Sequence, residues 1–259
     1  MAKPTADEIK SNIQAEDSEV WNEAEQRPES LDIFEGDLSE AISAAWSDIE
    51  DAFIIASVPV TGGSSSPGGP LQGGTATLTP SLLTNTVSFI VINDKFSTSF
   101  PDGPTEGLLA LVDAIAQGIG QKFPLWVSGY SAVLTASGGT CAWIAPTPPA
   151  NPTGTPGPWT DGSIEAFAIE NGTSTGDTEM TALSLETAIG NAANPDILKQ
   201  NQNTLQPALK ALIKAIAKGF ETTWKNWKKN TNISGGTGTG VANPPNGTVV
   251  GAVTLPEIG

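Results

Sequence analysis

Three breaker-rich stretches constrain this chain more than anything else in it: 61–75 (TGGSSSPGGPLQGGT), 145–162 (APTPPANPTGTPGPWTDG) and 234–247 (SGGTGTGVANPPNG). Proline cannot donate to a helix or ladder, and glycine loses the most freedom on ordering, so regular structure propagates poorly through such runs. Structureless connections beyond about 12–15 residues are uncommon inside compact domains. The three runs therefore predict extended arms, with the regular elements lying between them. With 28 Gly and 20 Pro but only 15% charged residues, the excess is uncharged, loop-forming polarity and not the highly charged kind of disorder.

Helical periodicity appears three times. Over 37–53, Leu38, Ile42, Ala45, Ile49 and Phe53 form one apolar stripe, with Asp37 as cap and Glu40 completing a capping box. Over 105–121, Leu108, Leu111, Val112, Ile115 and Ile119 share a side, Thr105 caps, and Pro124 is expected to stop the helix. Over 204–229, Leu209, Leu212, Ile213, Ile216, Phe220 and Trp227 make the stripe, with Thr204 as cap and Pro207 in the first turn. Short strands are expected at 53–60, 86–92, 130–135, 164–169 and 249–253, where β-branched and aromatic residues gather.

Two of the helices share wording. Leu108-Leu-Ala-Leu-Val-Asp-Ala-Ile-Ala-Gln-Gly-Ile119 aligns with Leu209-Lys-Ala-Leu-Ile-Lys-Ala-Ile-Ala-Lys-Gly-Phe220. A tryptophan follows each (Trp126, Trp224), and then SGGT at 137–140 and 234–237. The first helix, followed by Val60-Thr-Gly-Gly63, is a looser third copy. The order suggests internal duplication, although Ala/Leu-rich helices also resemble one another by chance.

The fold class expected is α+β: two or three amphipathic helices with short antiparallel strands, joined by long extended Gly/Pro-rich arms. It divides into an acidic N-terminal arm (1–36), a helix/strand module (37–144), a Pro/Gly-rich linker (145–162), a second helical module (163–233) with a basic helix (204–229), and a Gly-rich C-terminal arm (234–259).

Composition excludes several chemistries. There is no histidine, which removes Ser-His-Asp and Cys-His pairs and histidine metal ligands. The single Cys141 excludes an internal disulfide or a CxxC zinc site and reads as a small buried residue. A net charge of −16 argues against nucleic acid as a partner for the whole chain. No apolar run reaches the ~20 residues of a membrane span. The segment MAKPTADEIK is followed by no apolar core of a signal peptide, so synthesis in a cytoplasm is expected.

The remaining constellations are weak. Gly236-Thr-Gly-Thr-Gly240 lacks the GK[ST] of a phosphate loop, and Asn243-Pro-Pro245 blocks the helix that must follow. Glu165 with Glu170, or Asp177 with Glu179, could serve glycoside hydrolysis, and Trp126, Trp143 and Trp159 could stack sugars. Tryptophans in such segments also serve as anchors for irregular backbone. Asn171-Gly-Thr-Ser-Thr-Gly-Asp177 offers oxygens to a cation but misses the EF-hand pattern. No cofactor is expected, and a small-molecule ligand is not favoured.

Charge is segregated. Residues 1–51 hold 15 acidic and three basic residues; residues 199–229 hold seven lysines and one acid. Lys210, Lys214 and Lys218 form a stripe that reads as a solvated face, as a docking face for acidic segments, or as a nucleic-acid contact. The interface residues expected are Ile42, Trp46, Ile49 and Phe53 on the first helix, and Leu212, Ile216, Phe220, Trp224 and Trp227 on the third, with the three lysines setting register. The two apolar stripes could pack on each other or across copies.

In texture the chain resembles structural proteins of tailed bacteriophage particles: an acidic N-terminal segment, Ala-rich LxALxxAIAxGF helices, and linkers such as SGGTGTGVANPPNGT. The resemblance implies a non-enzymatic virion component, in the tail, baseplate or neck before the capsid. It would bridge other virion proteins and copies of itself through arms and helices, and reside in the virion after synthesis in the host cytoplasm. The alternative is a carbohydrate-binding or weakly hydrolytic particle-borne protein.

Overall fold

The computed structural model describes residues 3–17, 28–99, 103–200, 204–205, 207–254 and 257–258. Its main elements are α1 (Ala6–Gln14), α2 (Glu29–Asp51), β1 (Val58–Ser64), β2 (Leu71–Leu78), α3 (Glu106–Gly129), β3 (Tyr130–Cys141), β4 (Gly157–Ala168), α4 (Ala182–Ala192), α5 (Pro207–Asn230), β5 (Asn232–Asn243) and β6 (Thr248–Thr254). The three long helices α2, α3 and α5 each lead into an antiparallel hairpin: β1–β2, β3–β4 and β5–β6. The hairpins join in chain order, β2 to β3 and β4 to β5, and β6 returns to pair with β1. The result is a closed six-stranded antiparallel barrel.

This overturns part of the expected fold. The class is α+β, but the strands are not short and the Gly/Pro-rich runs are not extended arms. Two strands expected from the pattern run to 12 residues each (Tyr130–Cys141 and Gly157–Ala168), and so does the unexpected Asn232–Asn243. Each breaker-rich run contributes a hairpin end. Because β1, β3 and β5 all leave a helix and point the same way, the helices gather at one end of the barrel and the three turns at the other. The turns brace one another there. Ser65 N–H donates to Asn246 O at 3.0 Å, and Trp143 Nε1 donates to Ser65 Oγ at 3.1 Å. Backbone bonds between Gly68 and Cys141 and between Cys141 and Gly69 continue the brace.

The Gly/Thr-rich sequence makes strands because a six-stranded barrel is narrow inside. Its buried positions are small or branched: Val58, Val60, Ala76, Ala136, Ile164, Val249 and Val253. A large residue, Trp159, fills much of the remaining space. The fully buried Trp159 lies directly over the Cα atoms of Gly162 and Gly238, where a side chain has no room, and donates Nε1–H to Gly138 O at 3.1 Å. Threonines alternate outward, as on any half-buried strand. The first strand of each hairpin also carries a consecutive glycine pair: Gly62–Gly63, Gly138–Gly139 and Gly235–Gly236. All six have φ between 66° and 81°, left-handed backbone that accentuates the strand's bend. The helix-then-glycine order, clear twice in the sequence with a looser third copy, is present three times in the structure.

Other boundaries move for identifiable reasons. The 86–92 stretch is no strand: from Phe89 it is helical, a 3₁₀ turn at Phe89–Val91 running into Ile92–Lys95, with Phe89 and Ile92 buried against the long helices. Helix α2 begins at Glu29, so Asp37 is not its cap; its carboxylate accepts Ser99 N–H at 2.8 Å and the Ser99 hydroxyl at 3.0 Å. Thr105 does cap α3, accepting Leu108 N–H. Pro124 lies within α3 and does not stop it. It cannot donate to the Gly120 carbonyl, and the Ser88 hydroxyl does so instead at 3.0 Å. Helix α5 starts at Pro207, with Thr204 in a two-residue strand ahead of it.

The expected acidic arm is also absent from the described residues of 1–36. Helix α1 packs on α2 and α5, with Ile9 and Ile13 fully buried. Asn12 Nδ2 donates to Thr223 Oγ1 at 3.0 Å, and the Ser43 hydroxyl donates to Pro4 O at 2.8 Å. At the other end, 234–254 is barrel wall.

Candidate functional site

The residues expected at an interface lie at the junction of the three long helices. Ile42, Trp46 and Ile49 of α2 and Ile216, Phe220, Trp224 and Trp227 of α5 are all buried. Leu212 and Phe53 are partly buried against the same core. Trp46 packs on Phe89, Phe220 and Trp227 at centroid distances of 5.1, 5.2 and 5.8 Å. Trp126 of α3 reaches Trp224 and Trp227, each at 5.8 Å. The helical stripes therefore meet inside this chain. Offset and edge-on aromatic pairs of this kind add about 0.5–1.5 kcal/mol beyond their burial.

The lysine stripe meets the acidic segment in the same molecule. Lys218 Nζ lies 2.7 Å from Glu16 Oε2, and Asn226 Nδ2 donates to Glu8 Oε1 at 3.3 Å. Lys214 is half-buried and Lys210 exposed on the same helix. Along the face, Lys228 sits 3.8 Å above the Trp224 ring and 3.3 Å from Asp177.

The tryptophans considered for sugar stacking are enclosed. Trp126, Trp143 and Trp159 are buried, and their Nε1 groups bond to Asp177 Oδ1, Ser65 Oγ and Gly138 O. The candidate carboxylates differ in role. Asp177 holds the 173–181 segment: it accepts from Trp126 and from Ser174 N–H, and pairs with Lys228. Glu179 pairs with Lys122 at 2.5 Å, and that hydrogen bond holds its carboxyl below the ordinary value. Glu165 and Glu170 are exposed. Cys141 is buried in the wall opposite Trp159. Among the described residues no three acidic or cysteine side chains gather as a metal cluster, and no helix is long and apolar enough to cross a membrane.

The surface feature that the sequence did not reveal is the outer face of the barrel. Among its six strands only Asp161 and Glu165 are charged, although the chain carries −16. Paired outward positions run Val241–Val250–Thr61–Thr75–Thr135 across five strands. Val133, Val241 and Val250 are 65, 46 and 61% exposed on this wall, and Ile144 beside the tip is 57% exposed. The signal was present as charge-free runs at 52–93, 130–160 and 230–256. Only the closed topology brings those runs onto one body.

No protein-family model, curated protein or solved structure matches this chain. A rigid wall of threonine and valine can be covered by a neighbour without stripping water from charges, which costs several kcal/mol per buried ion. The charged helical end cannot be covered so cheaply.

Proposed function

We propose that the protein is a non-enzymatic structural component of a tailed-phage particle, in the tail, baseplate or neck before the capsid. Its neighbours there are other virion proteins and copies of itself. The uncharged barrel wall carries this reading, since it is the surface most suited to burial by a neighbour. The LxALxxAIAxGF helices and the Gly/Thr-rich hairpins supply the resemblance; the contact surface is a preformed wall and not an ordering arm. Preformation favours assembly because no backbone entropy, roughly 1–2 kcal/mol per residue, is lost on docking.

The test is direct. Mass spectrometry of density-banded particles from cells that encode the chain should find its peptides. Particles free of them would overturn the virion assignment. A Val241→Lys/Val250→Lys double variant should remain folded yet enter particles at a small fraction of the normal level, because two charges would have to be desolvated at the contact. Undiminished incorporation would remove the wall from the interface.

A further inference from the structure

Strands β3 and β4 pair from Cys141–Trp159 only as far as Ala136–Ile164. Beyond that they part. The two-residue strand Thr173–Ser174 pairs with β3 at Tyr130–Ser131 and nowhere further along. Residues 132–135 of β3 thus keep β2 on one side and have no registered strand partner on the other among the described residues. The parting leaves a hollow of about 340 Å³ on the outer wall. Its floor is Ser131 and Val133; Thr77 and Thr79 form one bank, Phe167 and the Asn171–Thr173 turn the other.

We propose that this hollow binds a neutral monosaccharide unit. Its volume is at the small end of ligand sites, which run roughly 300–1,000 Å³. The Thr77 hydroxyl and the Asn171 carboxamide offer both donors and acceptors, beside the Thr79 hydroxyl, which pairs with Ser81, and the Ser131 and Thr173 hydroxyls, which pair with each other. The Asn171 side chain and the Thr77 hydroxyl have no protein hydrogen-bond partner among the described residues, so both remain available. The unpaired edge of β3 adds backbone groups. Phe167 and Val133 give apolar surface for the C–H face of a pyranose ring. None of the lining residues is ionisable, and the acids nearest in sequence, Glu165 and Glu170, disfavour anions. This selects a neutral sugar over a nucleotide or a sugar acid. The proposal does not depend on where the protein resides.

The experiment is saturation-transfer NMR on the full chain with methyl glycosides of glucose, galactose, mannose and N-acetylglucosamine, and with glucuronate as the anionic control. At least one neutral glycoside should bind with a dissociation constant in the millimolar range. Asn171→Ala and Thr77→Val should each weaken it roughly fivefold, the cost of about one hydrogen bond. Both positions are exposed, so circular dichroism should show the fold intact. Three outcomes would overturn the proposal: no neutral glycoside binding, glucuronate binding as well as the neutral sugars, or binding that survives both substitutions.

Discussion

Glu50 shows how much a single residue can depend on its surroundings. It is the penultimate residue of α2 and is 3% exposed. Trp227 Nε1 donates to its Oε1 at 2.5 Å, while Oε2 is buried without a partner among the described residues. Burial pushes its carboxyl above the ordinary 4.5, against the opposing pull of the Trp227 hydrogen bond and of Lys3. The folded state therefore holds the proton more tightly than the unfolded state. The cost of ionising Glu50 is fully present above the raised folded value. It shrinks as pH falls through that value and is gone below about 4.5. Glu50→Gln keeps an acceptor for Trp227 and should stabilise the protein at neutral pH, by about 1.4 kcal/mol for each pH unit by which the carboxyl is raised. Urea midpoints at neutral and at acid pH would show that advantage vanishing on acidification; a variant equally destabilised at both would contradict the account. None of this was legible from position 50, where the helical pattern shows only an acid beside Ile49. Ser88 was equally silent, since its role exists only because Pro124 deprives the Gly120 carbonyl of its usual donor.

At the scale of elements, periodicity was a good guide to helices and a poor one to strands. The stripes Leu38–Ile49 and Leu209–Trp227 mark real helices because a 3.6-residue period of large apolar groups has few other uses, whereas Phe53, expected on the first of them, lies past its end in a short strand, Phe53–Ile55. Strands Leu71–Leu78 and Asn232–Asn243 carry no clear alternation, because their inward positions are largely alanine, glycine and single aliphatics. Helix α1 leaves a weak periodic signal for a different reason: its buried apolar face is only two isoleucines wide. It is held by close approach, since a Cβ on Gly219 of α5 would lie 2.7 Å from the Ile13 N and Cα atoms. Gly219→Ala should therefore lift α1 and cost about 1–3 kcal/mol, as overpacking typically does. Hydrogen exchange should accelerate over 6–14 while the barrel strands keep their protection. Unchanged exchange there would mean that the two helices tolerate a wider spacing.

For the whole molecule, the decisive contact is between β1 and β6, the first and last barrel strands in the sequence, which pair and close the barrel. One buried cluster runs continuously from Ile9 to Val253 through helices and strands alike. Helical end and barrel should therefore unfold together. Far-UV circular dichroism and tryptophan fluorescence of the isolated chain should trace one coincident urea transition; two separated transitions would show that the helical end and the barrel are independent. The same closure segregates charge, with a strongly acidic helical end and a nearly uncharged barrel. The extended arms expected at 1–36 and 234–259 are not formed by the described residues there, since Ile9 and Ile13 near one end and Val253 near the other are buried in the chain's own core.

The sequence by itself determined where three long helices lie, which of their faces are apolar, and which chemistries the absence of histidine removes, because these follow from local period and composition. The tertiary structure alone decided that glycine- and proline-rich runs become hairpin ends, that Trp159 fills a barrel, and that the helical stripes face one another. Those outcomes depend on pairings between residues nearly two hundred positions apart, and no local pattern of small, uncharged side chains encodes its partner.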